Sequence, residues 1–397
     1  MAIDKKAKLK AVMTAMKQLE KSHKKEGLCY IMGEERQAIE TTSSGSIMFD
    51  MALGGGLAKG RLIEFFGAES SGKTLCATRA MAEVQKQGGL VALVDMEHAF
   101  DPEFATKLGL DCNELIFSQP DSLQEAFDVV DKLVDAGVDM ITLDSVAALV
   151  PQEELDGEIG KQTIGLIARY MSQFLRRITP KAAKNGTTVI FINQVRDAVG
   201  VMYGDPTTTP GGKALKFYCS LRCKVSSSAS CNIKEKQGLE EVVIGKLIKT
   251  TVVKNKIAAP YRKAEFEIYF DGREMNKSDE IAAVAINQGL IPKYDSAGNI
   301  SATGRTYMIE AVDEETGEVQ KLVAKKKDDV APELRKYPVI QKYLLDIIQV
   351  NIKIDETVKQ TEMDSDMTEE EFEEMMKSEN YLDDNDDGAE ETSWDDM

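Results

Sequence analysis

Residues 67–74 read GAESSGKT and match the phosphate-loop pattern G-x-x-x-x-G-K-[ST] at every fixed position. An apolar run with strand character (Leu62, Ile63, Phe65, Phe66) leads in, and a helix-like stretch, TLCATRAMAEVQKQ, follows. That order constrains the fold. A glycine-rich turn between a strand and a helix presents backbone N–H groups, and the helix N-terminus adds partial positive charge, so together they can wrap phosphates. Gly67, Ala68, Glu69, Ser70, Ser71 and Gly72 form the turn. Lys73 can then reach the β- and γ-phosphates, and the Thr74 hydroxyl can bind Mg²⁺. Chance supplies such a match in about one or two chains of this length per hundred, and the correct flanks make chance a poorer account still.

Three further apolar runs end at polar residues. Residues 90–95 (LVALVD) lead to Glu97, 140–143 (MITL) end at Asp144, and 188–192 (TVIFI) lead to Asn193 and Gln194. Helix-like segments near 103–108, 122–136 and 163–178 separate them. Continuous apolar strands alternating with helices indicate an α/β fold with a mostly parallel sheet covered on both faces. Ligands of such sheets sit beyond the carboxyl ends of the strands, which is where Glu97, Asp144 and Gln194 fall. Asp144 suits the Mg²⁺-side carboxylate, and Glu97 can polarise an attacking water. Gln194 is neutral and can donate to a γ-phosphate while standing at the root of a loop, so it can report nucleotide state.

At 397 residues, one large domain with a smaller one is the default expectation. No stretch of 18 or more apolar residues and no signal peptide is present, so a soluble, intracellular chain without a membrane partner is expected. Six scattered cysteines, with no Cys-x-x-Cys pair and only His23 and His98 as histidines, read as reduced thiols rather than as a metal site. The net charge of −18 argues against nucleic acid until it is located: residues 361–397 hold 17 Asp/Glu against Lys377 alone. The rest of the chain is nearly neutral, and the acidic segment has the composition of a disordered tail. It reads either as simply solvated or as a competitor that folds back on a basic surface. Residues 1–26 invert the pattern, with eight Lys on a helical repeat of Leu9, Val12, Met13, Met16 and Leu19. One face is apolar and the other basic, as suits a helix that packs on a partner.

Taken together, GAESSGKT, MEHAFDP (96–102), LDSVAAL (143–149), GEIG (157–160), FINQVR (191–196), GVMYG (200–204), GGKALKFY (211–218) and VVKNKIAAP (252–260) resemble the RecA family of recombinases, block by block and in its order. The resemblance covers about 38–272. It implies a P-loop ATPase core using ATP and Mg²⁺, and a helical homo-filament on single-stranded DNA that pairs with homologous double-stranded DNA and exchanges strands. Carried over position by position, it gives Lys73 and Thr74 their phosphate and Mg²⁺ roles and makes Glu97 the general base and Gln194 the γ-phosphate sensor. Asp101 and Phe104 would lie against the adenine; Phe104 stands where bacterial members usually have Tyr, so a hydroxyl is absent. Lys254 and Lys256 match a pair that reaches a neighbouring subunit's γ-phosphate, and Phe217 matches a subunit contact. Residues 157–165 and 195–212 match the two DNA loops. Ile164 and Val199 stand where apolar wedges enter between bases. Arg169, Arg176 and Arg196, with Ser172, Gly211, Gly212 and Lys213, would meet the DNA, and Arg177 is a weaker candidate. Asp197, Ala198, Lys161 and Lys213 depart from the bacterial pattern and redistribute the loop charge.

Past 272 the resemblance fades. Residues 278–290 read as a capped helix, Tyr294–Val323 as short strands around turns, and 338–354 as a final helix, which makes a small C-terminal α/β lobe. Its role as a duplex-capturing lobe and a role as a packing or spacer lobe stay equally open. The expected organisation is an N-terminal polymerisation arm (1–37), the core with two DNA loops (38–272), the lobe (273–357) and an acidic tail (358–397). The later segments look more like phage-borne members, so the expected location is the cytoplasm, or a host's cytoplasm if the chain is phage-encoded. A ring-shaped DNA motor on the same core should lack the basic arm and the GVMYG and GGKALKFY blocks. A non-enzymatic scaffold would be expected to lose Lys73 or Glu97.

Overall fold

The computed structural model describes residues 5–24, 39–157, 165–197, 207–237, 240–270, 277–313 and 316–351. Two compact units divide after Glu40. In the first, the expected helix is present as α1 (Lys5–His23). Leu9, Val12, Met13 and Leu19 are exposed on it, and Lys21 and His23 close its last turn, where positive charge complements the helix dipole.

The second unit is built on a nine-stranded sheet. Its parallel part comprises β1 (Leu62–Gly67), β2 (Val91–Asp95), β3 (Leu115–Ser118), β4 (Met140–Asp144), β5 (Thr188–Gln194) and β6 (Leu221–Ser226). Three antiparallel strands extend it: β7 (Asn232–Gln237), β8 (Glu240–Asn255) and β9 (Lys263–Tyr269). The spatial order is β7-β8-β6-β1-β5-β4-β2-β3, with β9 pairing β8. The sequence reading anticipated β1, β2, β4 and β5. It missed the antiparallel extension, where β8 and β9 mix buried and exposed positions and so carry no continuous apolar run.

Helices cover both faces. On one side α2 (Ile47–Leu53), α3 (Lys73–Lys86) and α4 (Pro102–Lys107) pack over Ile63, Phe65, Leu93, Ile190 and Ile192. On the other, α5 (Leu123–Asp135) and α6 (Leu166–Asn185) cover Leu62, Val94, Leu143, Val189 and Phe191. Neighbouring residues of one strand thus serve opposite cores, which explains the unbroken apolar runs. The helix expected at 163–178 runs on past Pro180 to a glycine cap at Gly186. Pro180 is exposed.

The C-terminal segment forms a third apolar cluster. Helix α7 (Lys213–Tyr218) packs in the second core through Leu215; the elements of the third cluster are α8 (Lys277–Asn287), a sheet of β10 (Lys293–Tyr294), β11 (Thr306–Val312) and β12 (Val319–Ala324), α9 (Lys327–Leu334) and a helix α10 over 338–351. Helix α2 joins this lobe to the core. Met48 packs against both clusters, and Glu280 of α8 accepts from Ser46 Oγ (2.8 Å) and Ile47 N (2.6 Å) at the start of α2. Asp50, one turn on, accepts from Ser43 Oγ (2.6 Å), Ser44 Oγ (2.6 Å) and Ser44 N (2.7 Å).

Burial nonetheless pushes the Asp50 carboxyl from 3.8 up to about 6. Across that window the folded chain holds a proton that the unfolded chain has released, so this group makes stability fall as pH rises from 3.8 to about 6. Asp50→Asn is expected to remove that part of the slope. Thermal midpoints of both proteins across this range check it; parallel curves would show that Asp50 titrates normally.

Candidate nucleotide site

Four neighbouring strands, β1, β5, β4 and β2, end side by side and carry the site. Their tips are stitched together: Val195 N donates to Gly67 O (3.2 Å), and Met96 N donates to Asp144 O (2.6 Å). Residues 67–72 leave β1 and enter α3 through Gly72, at φ 98°. A Cβ at Gly72 would meet Ile248 Cδ1 at 2.5 Å, and one at Gly67 would meet Val225 O at 2.0 Å. Only glycine lets the turn lie this close to β6 and β8.

Lys73 is buried, and its Nζ donates to Gly67 O (3.2 Å) and Ala68 O (2.7 Å) across the turn. Burial holds its pKa below the usual range, and Asp144, Glu97 and Glu69 partly offset this. Thr74 Oγ1 donates to Asp144 Oδ2 (2.8 Å). Asp144 is pushed up to about 6, first by burial; the Thr74 hydroxyl opposes the rise, and Glu97 and Asp95 add to it. The residues fit a phosphate-bearing ligand with a divalent cation. Ser71 Oγ is buried in the turn without a hydrogen-bond partner, α3 begins with no side-chain cap, and a hydroxyl and a carboxylate already face each other.

Glu97 is exposed just past β2. Its Oε1 accepts from Gln194 Nε2 (3.0 Å) and from Ser145 Oγ (2.6 Å). Lys73, Thr74, Asp144, Glu97 and Gln194 are therefore brought to one place. Ser145 and Asp95 were not foreseen in this role. Asp95 accepts from Glu97 N (3.1 Å), Phe100 N (3.3 Å) and Gln119 Nε2 (3.1 Å), and so shapes the turn that carries Glu97. The available signal was a polar residue ending each apolar run, with Asp95 before Glu97 and Ser145 after Asp144.

Other expected residues lie elsewhere. Asp101 caps α4, accepting from Glu103 N (2.9 Å) and Phe104 N (3.1 Å). Phe104 packs at the edge of the first core, its ring edge-on to Phe270 at 5.8 Å. Lys254 is engaged inside its own subunit, where Nζ donates to Lys216 O (2.6 Å) and Phe217 O (3.0 Å) at the end of α7. Lys256 and Phe217 are exposed.

The expected nucleic-acid residues divide into two groups. Arg169, Ser172 and Arg176 recur along one side of α6, with both arginines exposed. Gly211 and Gly212 lie against that helix: a Cβ at Gly212 would meet Ala168 Cβ at 2.8 Å. Lys213 opens α7 beside them, and Arg196 is exposed just past β5. Ile164, Val199, Ala198 and Lys161 lie outside the described residues, as does the acidic tail. Arg177 faces away, paired with Asp131 (3.5 Å) and Asp128 (3.9 Å).

The family model described as the RecA N-terminal domain matches residues 10–274. The chain belongs to the RecA family of recombinases. It is a nucleotide-binding, DNA-dependent ATPase of recombination and repair. It is 44% identical over 333 residues to "Protein RecA" of Nostoc punctiforme, covering 82% of this chain and 91% of that one. To "Protein RecA, chromosomal" of Lactococcus lactis it is 46% identical over 286 residues, covering 72% and 73%. Among solved structures, a crystal structure of the RadB recombinase aligns with 58% of this chain and 98% of its own, at 25% identity and a TM-score of 0.43. These relatives lend no support to a phage origin. No described helix is long and apolar enough to cross a membrane.

Ser145→Ala would remove a hydrogen bond to a charged acceptor that fixes the Glu97 carboxylate. Turnover is expected to fall roughly tenfold, with nucleotide affinity unchanged. Affinity and turnover measured separately check this; an equal loss of both would place Ser145 in the binding pocket instead.

Proposed function

We propose that the chain hydrolyses ATP with Mg²⁺ as a helical filament on single-stranded DNA, pairs that strand with homologous double-stranded DNA, and exchanges strands. The observation that carries this reading is the Glu97–Gln194 hydrogen bond of 3.0 Å. It joins a candidate base to a candidate sensor whose strand runs directly into the 195–212 segment. Nucleotide chemistry and a DNA-facing loop then share one strand end.

In this reading, Lys73 and the turn amides hold the β- and γ-phosphates, and Thr74 and Asp144 hold Mg²⁺. Mg²⁺, when bound, draws charge from the phosphate oxygens. Glu97 takes the proton of the attacking water, and Ser145 orients its carboxylate. Gln194 donates to the γ-phosphate and so leaves Glu97 when ATP is present. Phe104 offers a ring face to the adenine beside Asp101. Lys254 and Lys256 complete a neighbouring subunit's site. Lys254 would first have to release the two carbonyls it now serves, whereas Lys256 is already exposed. Charge supplied in trans makes hydrolysis depend on assembly, as an arginine finger does.

Arg169, Ser172, Arg176, Arg196, Gly211, Gly212 and Lys213 serve as phosphate contacts in the same reading, with Ile164 and Val199 as base wedges. The proposed organisation is an arm at 1–37, a core at 38–272, a lobe at 273–357 and an acidic tail at 358–397, working in the cytoplasm. Electron microscopy with ATP and single-stranded DNA tests the whole reading. An open helix is expected, and a closed ring would overturn it in favour of a motor.

Lys73→Ala is expected to abolish tight ATP binding. Glu97→Gln should keep binding but slow hydrolysis by roughly 10²–10⁴-fold, the usual worth of a general base. Near-normal turnover in the Glu97 variant would sink its assignment. Mixing Lys256→Ala subunits with Lys73→Ala subunits is expected to restore part of the turnover, because some mixed interfaces regain a complete site. If no mixing ratio restores any, the trans role of Lys256 is wrong.

A further inference from the structure

A row of polar side chains crosses the face of the sheet that packs under α6. Around it, Leu62, Val189 and Phe191 belong to that face's apolar core. The row runs from Asn193 on β5 through Glu64 on β1 to Arg222 on β6. Glu64 and Asn193 are each 0% exposed. Asn193 Nδ2 donates to Glu64 Oε1 (2.9 Å), and Arg222 Nε donates to Glu64 Oε2 (2.5 Å). The Arg222 guanidinium also lies over the Phe66 ring, 4.6 Å from its centroid. Glu64 sits directly opposite Arg222 in the β1–β6 register, and Arg222 sits opposite Lys254 in the β6–β8 register.

Both ends of this row attach to the segment between β5 and β6. At one end, Asn193 Oδ1 accepts from Gln194 N (3.0 Å), while its Nδ2 also donates to Pro210 O (3.0 Å). One buried amide thus holds the residue where the chain leaves the sheet and the residue where it returns. At the other end, Lys254 donates to the last carbonyls of α7, the helix that begins straight after Gly212. Packing alone gives no reason for an ionised group here, because a buried ion pair is often no more stable than apolar residues of the same volume. The two Glu64 oxygens are divided between Asn193 and Arg222. A shift at either neighbour is therefore felt by the other.

We propose that Glu64 is a positioning residue that couples the Gln194 end of β5, through Asn193 and Arg222, to the strand carrying Lys254. Movement of Gln194 toward a γ-phosphate is passed across the sheet to the strand whose lysine closes α7. The exit of the 195–212 segment and the proposed trans cation then respond together. This deepens the ATPase reading above and rests on it.

The test uses the full chain with Glu64→Gln, Arg222→Met, both together, and Asn193→Val. KM and kcat for ATP are measured with and without single-stranded DNA, alongside thermal midpoints. All variants are expected to keep the KM for ATP, because Lys73, Thr74 and the turn backbone are untouched. Stimulation of kcat by DNA is expected to fall about tenfold in each. The double variant, in which no unpaired buried charge remains, should regain thermal stability without regaining stimulation. If it regains both, the pair is a structural ion pair only and the proposal is overturned. Wild-type stimulation in a folded Asn193→Val protein would overturn it as well, since that variant keeps the Glu64–Arg222 pair and removes the Asn193 bonds to Glu64, Gln194 and Pro210. A wild-type protein that DNA does not stimulate would instead overturn the underlying ATPase reading, a result seen before any variant is compared.

Discussion

Burial of a parallel sheet on both faces decides where chemistry can occur in this chain. Strands β1, β2, β4 and β5 send alternate side chains into two separate apolar cores, so their faces have no room for a ligand. Only the strand ends remain, and the carboxyl ends of all four meet along one edge. Each run stops being apolar at that edge: the phosphate turn follows β1, Asp95 ends β2 with Glu97 just past it, Asp144 ends β4 with Ser145 just past it, and Gln194 ends β5. Hydrogen bonds between the tips of adjacent strands then hold these groups in a common frame. The site's geometry is thus a consequence of the sheet, and the loops need contribute little to it.

The parallel core and its edge were legible because they rest on local pattern: continuous apolar runs, helical spacing between them and one phosphate-loop motif. Lys73, Thr74, Asp144, Glu97 and Gln194 were found from their position relative to those runs. Ser145 and Asp95 escaped because their importance lies in what they hold. Ser145 matters through the Glu97 carboxylate 2.6 Å away, and no spacing rule reports that distance. Glu64 escaped for a related reason. A lone carboxylate inside LIEFF is visible in the sequence, but its relation to Arg222 exists only once β6 lies beside β1. The antiparallel strands β8 and β9 were missed because one side of each is wet, which breaks the run on which the reading relied.

Helix α2 shows how a short element can serve two cores. Its seven residues have a serine N-cap and a left-handed glycine, Gly54, at the other end. Phe49 stacks on Phe266 at 5.5 Å and meets Phe65 at 6.0 Å, which anchors one side to the sheet. Ile47, Met48 and Met51 pack against the C-terminal cluster. The lobe answers with Glu280, whose carboxylate accepts the free amides at the start of the helix. Burial, with Asp50 nearby, raises the pKa of that carboxyl. The attachment of the lobe to the core is therefore partly electrostatic, and two buried carboxyls share one short helix.

Net charge misleads about partners here because charge acts locally. At physiological salt, exposed charges are screened beyond about 8 Å. The −18 total is dominated by 17 acidic residues in 361–397, a segment separate in sequence from every candidate nucleic-acid residue. In the proposed reading, a phosphate backbone meets the exposed arginines on one side of α6 and past β5, with Lys213 at the return of the chain. Arg177, adjacent in sequence to Arg176, is spent on Asp131 and Asp128. Helical geometry, not composition, separates the two: a step of one residue turns the side chain by about 100°, from an open face to an acidic neighbour. A basic surface can therefore exist on an acidic protein, and the fold decides which of its cations face it.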